Sequence, residues 1–498
     1  MTPFNFSAVG FAWLPIMPMI AVAVGAIAVL LAGVHFADDD SEGLGWLAMA
    51  ALAVALIFTL GMFGEHALAF AGAISIDSFA AYFELVIVLA AMMTVAMSLG
   101  YAGENRLPGA EYYGLLLFSV LGMMMMAAAG DLIVIFLGLE IMSLAVYVLA
   151  GIARHNPRSN EAAIKYFLLG AFSTGFLLYG IALVYGAAGT IKLAAIEAAL
   201  AAGGMNSNPL LMAGIGLLLM GFAFKIAAVP FHMWTPDVYE GAPTPITAFM
   251  AAGVKLAAFA AFMRIFLAAL APVGEIWAPA FWILAAITMT GGNLLALAQS
   301  NVKRMLAYSA IAHAGYLLVG MTAGAEAGGA ILYYLLAYAF MNLGAFGVVI
   351  ALERRGVAAG VQIADFRGLA GRAPLLAAAM AVFMLSLTGV PPLAGFVGKF
   401  YLFDIAINRG YVVLVIIAVL NSVVSVYYYF SVLVAMYMQE GGLEVLRLGA
   451  RPGLVAAISI AAFVTVAIGV FPQTYIVAAE TAFSSVTAPV PATISMNR

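Results

Sequence analysis

The chain has 498 residues, of which 66% are hydrophobic and only 8% charged, with a net charge of −4 and no cysteine. The strongly positive mean hydropathy excludes a water-soluble globular domain, and the missing thiols exclude disulfides, iron–sulfur ligation and thiol catalysis on this chain. Five scattered histidines (His35, His66, His155, His232 and His313) offer no metal-ligand spacing, and nothing points to a nucleic-acid partner.

Apolar stretches of about 20 residues, long enough to cross a hydrocarbon core roughly 30 Å thick, recur along the whole length with short polar breaks. They predict an all-α polytopic membrane protein, because barrel strands would alternate polar and apolar residues. Fourteen spans are expected: 12–33, 44–63, 78–100, 110–129, 131–152, 160–187, 210–240, 243–270, 275–298, 302–323, 328–353, 374–407, 411–438 and 453–475. The first ten residues contain no Lys or Arg, so 12–33 reads as a retained span rather than a cleaved signal.

An even count puts both termini on one side. One set of alternate loops holds eleven basic residues, Arg106, Arg154, Arg158, Lys303, Arg304, Arg354, Arg355, Arg367, Arg372, Arg447 and Arg451; the other holds only Lys192, Arg409 and Arg498. The positive-inside rule then turns both termini away from the cytoplasm, to the periplasmic side of a bacterial cell inner membrane. Two amphipathic segments, "TIKLAAIEAALAAG" (190–203) and "IADFRGLAGR" (363–372), are expected along a membrane surface or against a partner. The final twenty or so residues read as a poorly ordered tail.

Two spans break themselves. The seventh carries "FKIAAVPFHMWTPDVYEGAPTPI" (224–246), with four prolines within sixteen residues, and the twelfth carries "SLTGVPPLAGFVGKFYLFD" (386–404). The stretch around Lys399 lacks the spacing of a phosphate-binding loop. Five spans separate the breaks, and five is odd, so a five-span unit repeated in tandem would cross in the opposite sense the second time. Inverted repeats are therefore expected over spans 4–8 and 9–13. The chain divides into an N-terminal three-helix segment (1–109), a first repeat (110–270), a second repeat (271–438) and a last helix with its tail (439–498). Discontinuous helices at matching positions of inverted halves mark an ion or substrate pathway at mid-membrane depth.

Charge inside hydrocarbon costs roughly 3 kcal/mol on insertion scales, so each buried charge is a functional candidate. Lys225 and Lys255 are central in their spans, too deep to snorkel. Glu140 is nine residues into its span and has no long stem with which to escape. Lys165 lies one or two turns from the cytoplasmic end, where snorkelling alone accounts for it; a buried ion pair with Glu140 would give it more to do. Lys399 follows the second break, and His232 and His313 are candidate relays. Arg264 cannot give up its proton and reads as structural; Glu84 is too near a span end to assign. Desolvation makes a buried lysine a reversible proton carrier, so lysine rather than arginine at depth suits a proton wire.

The stretches "GLEIMSLAVYVL", "AAIKYFLLGAFSTGFLLYGIALVYG", "KIAAVPFHMWTPDVYEGAPTP", "NVKRMLAYSAIAHAGY" and "LTGVPPLAGFVGKFY" resemble the antiporter-like membrane subunits of respiratory complex I, the NADH-quinone oxidoreductase, over nearly the whole chain. The resemblance implies fourteen helices in inverted five-helix repeats and one proton-translocation unit. It matches Glu140, Lys165, Lys225, Lys255 and Lys399 to the family's glutamate and lysines of spans 5, 6, 7, 8 and 12. It places FMN, iron–sulfur clusters and quinone in other subunits, with no cofactor on this chain, and gives as partners the other membrane-arm subunits, including neighbouring antiporter-like ones. The runner-up is a subunit of a multisubunit sodium–proton (Mrp-type) antiporter, which shares the fold and the lysines.

Overall fold

The computed structural model describes residues 16–35, 41–205, 207–353, 360–443 and 451–487. Arg354, Arg355, Arg447 and Arg498, counted above among the loop cations, and the start of the first span lie outside the described residues. Among those described, eleven helices are long and apolar enough to cross a membrane, and three shorter apolar ones, Met17–Gly33, Pro209–Lys225 and Pro374–Thr388, accompany them. Each expected span overlaps one of these helices.

Short polar signals start many of them. Asp77 caps Ser78–Ser98 by accepting from the Ala80 N–H at 2.7 Å, and Asp131 caps Leu132–Ala150 through Val134 at 2.8 Å. Asn156, Asn208 and Asn301 do the same for Pro157–Ala188, Pro209–Lys225 and Val302–Ala323. Each side-chain oxygen satisfies a donor that the first helical turn leaves free, and proline in that turn has no N–H to lose.

The helices differ sharply in enclosure. The apolar window of Thr244–Ala269 is 100% buried inside the protein and those of Val302–Ala323 and Ala325–Leu352 are 94% buried, against 33% for Pro157–Ala188. The centre of the molecule is therefore built from the spans that carry Lys255 and His313. Close backbone approach supports the packing of Pro157–Ala188 on Pro209–Lys225: a Cβ added at Gly180 would meet the Leu218 nitrogen at 2.8 Å. Small residues at such crossings are the usual means of association in lipid, where no hydrophobic force separates helix from solvent.

The two breaks fall where expected. Pro209–Lys225 ends at Lys225, residues 226–234 are irregular, and Thr235–Gly241 resumes the helix. Pro374–Thr388 ends at Thr388 and Ala394–Asn408 resumes after residues 389–393. Val229–Pro230 and Pro391–Pro392 are cis.

Four local expectations change. A short hairpin, Ala67–Ala69 with Ile74–Ile76, joins the second and third spans where only a loop was expected. Helix Leu193–Ala201, within the 190–203 segment, buries Leu193, Ile196 and Leu200 against residues 264–269 of its own chain. The 363–372 segment folds as two separate turns, Ile363–Phe366 and Leu369–Arg372; the Gly368 N–H donates to the Ala435 carbonyl at 3.0 Å, docking it on helix Val412–Met438. Half of the supposed tail is ordered: helix Pro472–Thr487 buries Phe483 against Gly328, and Ser485 Oγ accepts from the Phe79 N–H at 3.0 Å. The remainder of that tail lies outside the described residues.

Candidate functional site

Lys225 is the last residue of its half-helix and is buried. Its Nζ donates to Ser143 Oγ at 2.8 Å and to Tyr147 Oη at 2.9 Å. The ring of Tyr147 lies 5.1 Å from the ammonium, and Tyr166 and Phe224 complete an aromatic wall at 5.9 and 5.6 Å. Glu140, Ser143 and Tyr147 are spaced i, i+3, i+7 on Leu132–Ala150, so they share one face of that helix. Glu140 accepts from Thr174 Oγ1 at 2.9 Å.

The expected Glu140–Lys165 pair is not formed. Lys165 Nζ instead lies 2.6 Å from Glu161, one turn earlier on its own helix, and 2.6 Å from Asp237, with its side chain 40% exposed. The physical reason is reach and competition: two other carboxylates stand within ion-pair distance near the helix end, while Glu140 is satisfied by a hydroxyl. Asp237 also accepts from Arg304 at 2.8 Å, and Arg304 reaches Glu240 at 3.1 Å. One carboxylate thus clasps a cation from each expected repeat. Beside it a cavity of about 790 Å³ is lined by Arg154, His155, Arg158, Glu240 and Lys303. Lys303, expected as a loop cation, is buried in the first turn of Val302–Ala323 and donates to the Ala242 carbonyl at 2.8 Å.

Lys255, His313 and Lys399 gather in the second half. Lys255 donates to the Ala310 carbonyl and to Tyr338 Oη at 3.3 Å, with the Tyr338 ring 4.8 Å away. Ala310 and His313 are one turn apart on the same helix. His313 is fully buried; Nδ1 meets Tyr334 Oη at 2.6 Å and Nε2 meets Tyr429 Oη at 3.2 Å. The neighbouring Tyr428 donates to Asn293 at 2.9 Å, and Asn293 reaches Tyr316 and Asn421 at 3.4 and 3.3 Å. Lys399 stands over the Tyr316 ring at 4.7 Å and donates to the Leu387 and Thr388 carbonyls at 3.1 and 2.9 Å and to Ser422 Oγ at 3.0 Å. Those carbonyls end the half-helix Pro374–Thr388 and are free because the break removes their helical donors, which favours a cation there.

His232 stands apart. It is half-buried in the first break, and its Nδ1 has no hydrogen-bond partner among the described residues. Nor does a hydrogen bond among those residues join the Lys225 cluster to that of Lys255. Tyr166, stacked on Trp234 at 4.2 Å, lies beside Lys225. Arg264, read as structural, forms a buried pair with Asp77 through Nη2 at 2.8 and 2.9 Å.

This arrangement can be set beside known proteins. A family model described as "NADH:quinone oxidoreductase/Mrp antiporter, TM" matches residues 129–425, which include Glu140, Lys165, Lys225, His232, Lys255, His313 and Lys399. A protein of Trichlorobacter lovleyi named NADH-quinone oxidoreductase subunit N is 50% identical over 427 residues, covering 86% of this chain and 88% of its own length. The chain belongs to the subunit N family of NADH-quinone oxidoreductases. It is a multi-pass, all-α membrane protein of the antiporter-like fold. A chain of respiratory complex I from Thermus thermophilus superposes with a TM-score of 0.80 at 36% identity, covering 93% of this chain and all of that one. A chain of the Mrp complex from Dietzia sp. gives the same TM-score at 22% identity, covering 95% and 98%, which shows a shared fold and no more. The subunit N family is therefore favoured over the Mrp-type alternative.

Sequence reading missed Asp237, Ser143, Tyr147 and the Tyr428–Tyr429–Asn293–Asn421 chain. Signals for most were present. Ser143 and Tyr147 share the Glu140 face by spacing alone, and Asp237 sits twelve residues after Lys225 in the same quoted stretch. The tyrosines stand in "NSVVSVYYYF", where hydroxyls in an apolar run need partners.

Proposed function

We propose that this chain carries protons across the bacterial inner membrane as a membrane-arm subunit of an NADH:quinone oxidoreductase, using Lys225, Lys255, His313 and Lys399 as stations. NADH oxidation and quinone reduction take place in partner subunits, which hold the FMN, iron–sulfur clusters and quinone. One observation carries the reading. All three lysines are buried, yet their partners are hydroxyls, carbonyls and aromatic faces, with no carboxylate among them in the described residues. No fixed counter-charge pins a proton on any of the three. Buried cations that only stabilised the fold would be paired, as Arg264 is.

Protons enter from the cavity that Glu240 and Lys303 line, on the side where the loop cations accumulate; both termini then face the periplasm. Asp237 supplies the switch in place of the Glu140–Lys165 pair. Motion delivered by a neighbouring antiporter-like subunit shifts Asp237 between Lys165 and Arg304, and the uncompensated charge drives a proton from Lys225 toward Lys255. Glu140 and His232 flank this step, Glu140 one turn from the Ser143 that holds Lys225 and His232 inside the break. From Lys255 the proton passes by Tyr338 and His313 toward Lys399.

The test is Lys225→Ala in membranes containing the assembled complex, with proton pumping measured against NADH oxidation. Pumping is expected to be abolished or cut sharply. Unaltered pumping would remove Lys225 from the pathway and with it the reading.

A further inference from the structure

Outside the lysine network one buried acid has no role. Glu84, on Ser78–Ser98, is 0% exposed, and neither of its carboxyl oxygens has a hydrogen-bond partner among the described residues. Thr59, also fully buried on Ser41–Leu60, stands near enough to act on the carboxyl without completing a hydrogen bond to it. The charged groups acting on Glu84 are Asp77 and Arg264. Other ionisable groups on the packed helices are remote or engaged. Glu42 and Glu111 sit in the first turns of helices that place them at the opposite end. Lys255 is held by Ala310 and Tyr338, and Glu480 by Tyr401.

Asp77 caps the same helix seven residues before Glu84, about 10 Å along its axis at 1.5 Å per residue. Arg264 binds both Asp77 oxygens and donates from Nε to the Ala127 carbonyl at 2.6 Å, under the Phe79 ring at 4.7 Å. Asp77 and Arg264 also line a cavity of about 700 Å³ with His66, Lys192 and Glu197, roomy and polar enough for water. Glu84 therefore shares one face of its helix, at i, i+7 spacing, with a residue whose ion pair lines an aqueous space. Burying an ionised carboxyl in such a place is costly, and burying a protonated one is far less so.

The span that supplies Arg264 also supplies Lys255, and its backbone is irregular at both. A π-helical stretch, Met250–Val254, ends directly before Lys255, and a second, Arg264–Ala269, starts at Arg264. Such turns concentrate at functional sites.

We propose that Glu84, with the Asp77–Arg264 pair, is a proton-release station at the periplasmic end of the pathway. The Glu84 O–H bond breaks toward water that enters past the Asp77–Arg264 pair from the cavity, and the proton leaves as hydronium. The Arg264 guanidinium, shared with Asp77, compensates the carboxylate left behind, and a proton arriving from the Lys255 end of the span restores the acid. This rests on the reading of the chain as a proton carrier.

The test is Glu84→Gln in the assembled complex, a neutral replacement of the same shape, made alongside Lys225→Ala. The infrared difference spectrum against the unsubstituted complex is expected to lose one carboxylic-acid C=O band, and pumping per NADH is expected to fall roughly a hundredfold or more, the low side of losing a proton-transfer group. An unchanged band overturns the station whatever the pumping. Full pumping in Glu84→Gln with none in Lys225→Ala overturns the station and leaves the pathway standing, and full pumping in both overturns both. If Glu84→Gln does not assemble, Glu84→Asp decides: a shifted band supports the station and an unshifted one refutes it.

Discussion

The two broken crossings use the same ingredients in opposite order. In the first, Lys225 closes the half-helix before the break and turns sideways, to hydroxyls on Leu132–Ala150. The carbonyl it leaves behind, that of Phe224, is taken by Trp234 Nε1 at 3.1 Å. In the second, Lys399 comes after the break and folds back to the freed carbonyls of Leu387 and Thr388. Backbone therefore holds the second lysine and side chains hold the first. A lysine on side-chain hydroxyls can be released by rotating a rotamer, whereas one on a helix end is held by a fixed dipole. The first break suits an input that must respond, and the second suits a station that must wait.

Three pairs of changes sharpen or break this contrast, the largest first. Lys399→Met should abolish pumping and also destabilise the subunit, because the Leu387 carbonyl loses its donor, at about 1–3 kcal/mol for a buried group left unsatisfied, and Thr388 keeps only the Ser422 hydroxyl at 3.2 Å. Lys225→Met should abolish pumping with a much smaller loss, since Ser143 Oγ keeps its bond to the Leu139 carbonyl. Pumping and thermal unfolding of both purified complexes check this; equal destabilisation would erase the distinction.

Gly389→Ala comes next. Gly389 has φ +96°, and a methyl there would sit 3.2 Å from Lys399 Cδ. Left-handed backbone costs an L-residue about 1–2 kcal/mol, so stability should drop by that much and pumping severalfold. At the first break Ala227 already carries φ +61°. Ala227→Gly should be near neutral, because relief of that strain is offset by the roughly 0.5–1 kcal/mol that glycine's freedom costs on folding. Thermal unfolding of the pair measures the difference.

The smallest effects on stability separate the lysines' side-chain partners. Tyr147→Phe removes one of two hydroxyls from Lys225 and should slow pumping by about tenfold, matching roughly 1.5 kcal/mol for a charge-assisted bond. Ser422→Ala leaves Lys399 on two carbonyls and should slow it less than about threefold, equivalent to some 0.6 kcal/mol. Initial pumping rates in vesicles would show the order, and a reversed order would mean that the backbone does not hold Lys399.

Much of this was legible in sequence because it depends on spacing along one chain. Span positions follow from apolar run length, and both breaks follow from Pro and Gly inside those runs. Lys225, Lys255 and Lys399 follow from charge at depth. What escaped depends on how helices are rotated about their axes and what they meet. Glu140 and Lys165 lie on consecutive spans and invite pairing, yet Lys165 is turned toward Asp237, on an element whose position is set by the folding of the break. Asp77 is 187 residues from Arg264, with nothing local to both. The connection of Leu193–Ala201 to residues 264–269 is of the same kind. Amphipathic spacing shows that a face must be covered without showing by what.

The bond from the Phe79 amide to Ser485 spans 406 positions. Asp77 answers one free donor in the opening turn of Ser78–Ser98, and a side chain on helix Pro472–Thr487, made long afterwards, answers another. That turn stays incompletely bonded until residue 485 has been made. Chains truncated before residue 485 should therefore enter the membrane with a frayed third helix, leaving quality-control proteases a way to recognise unfinished copies before they join the complex.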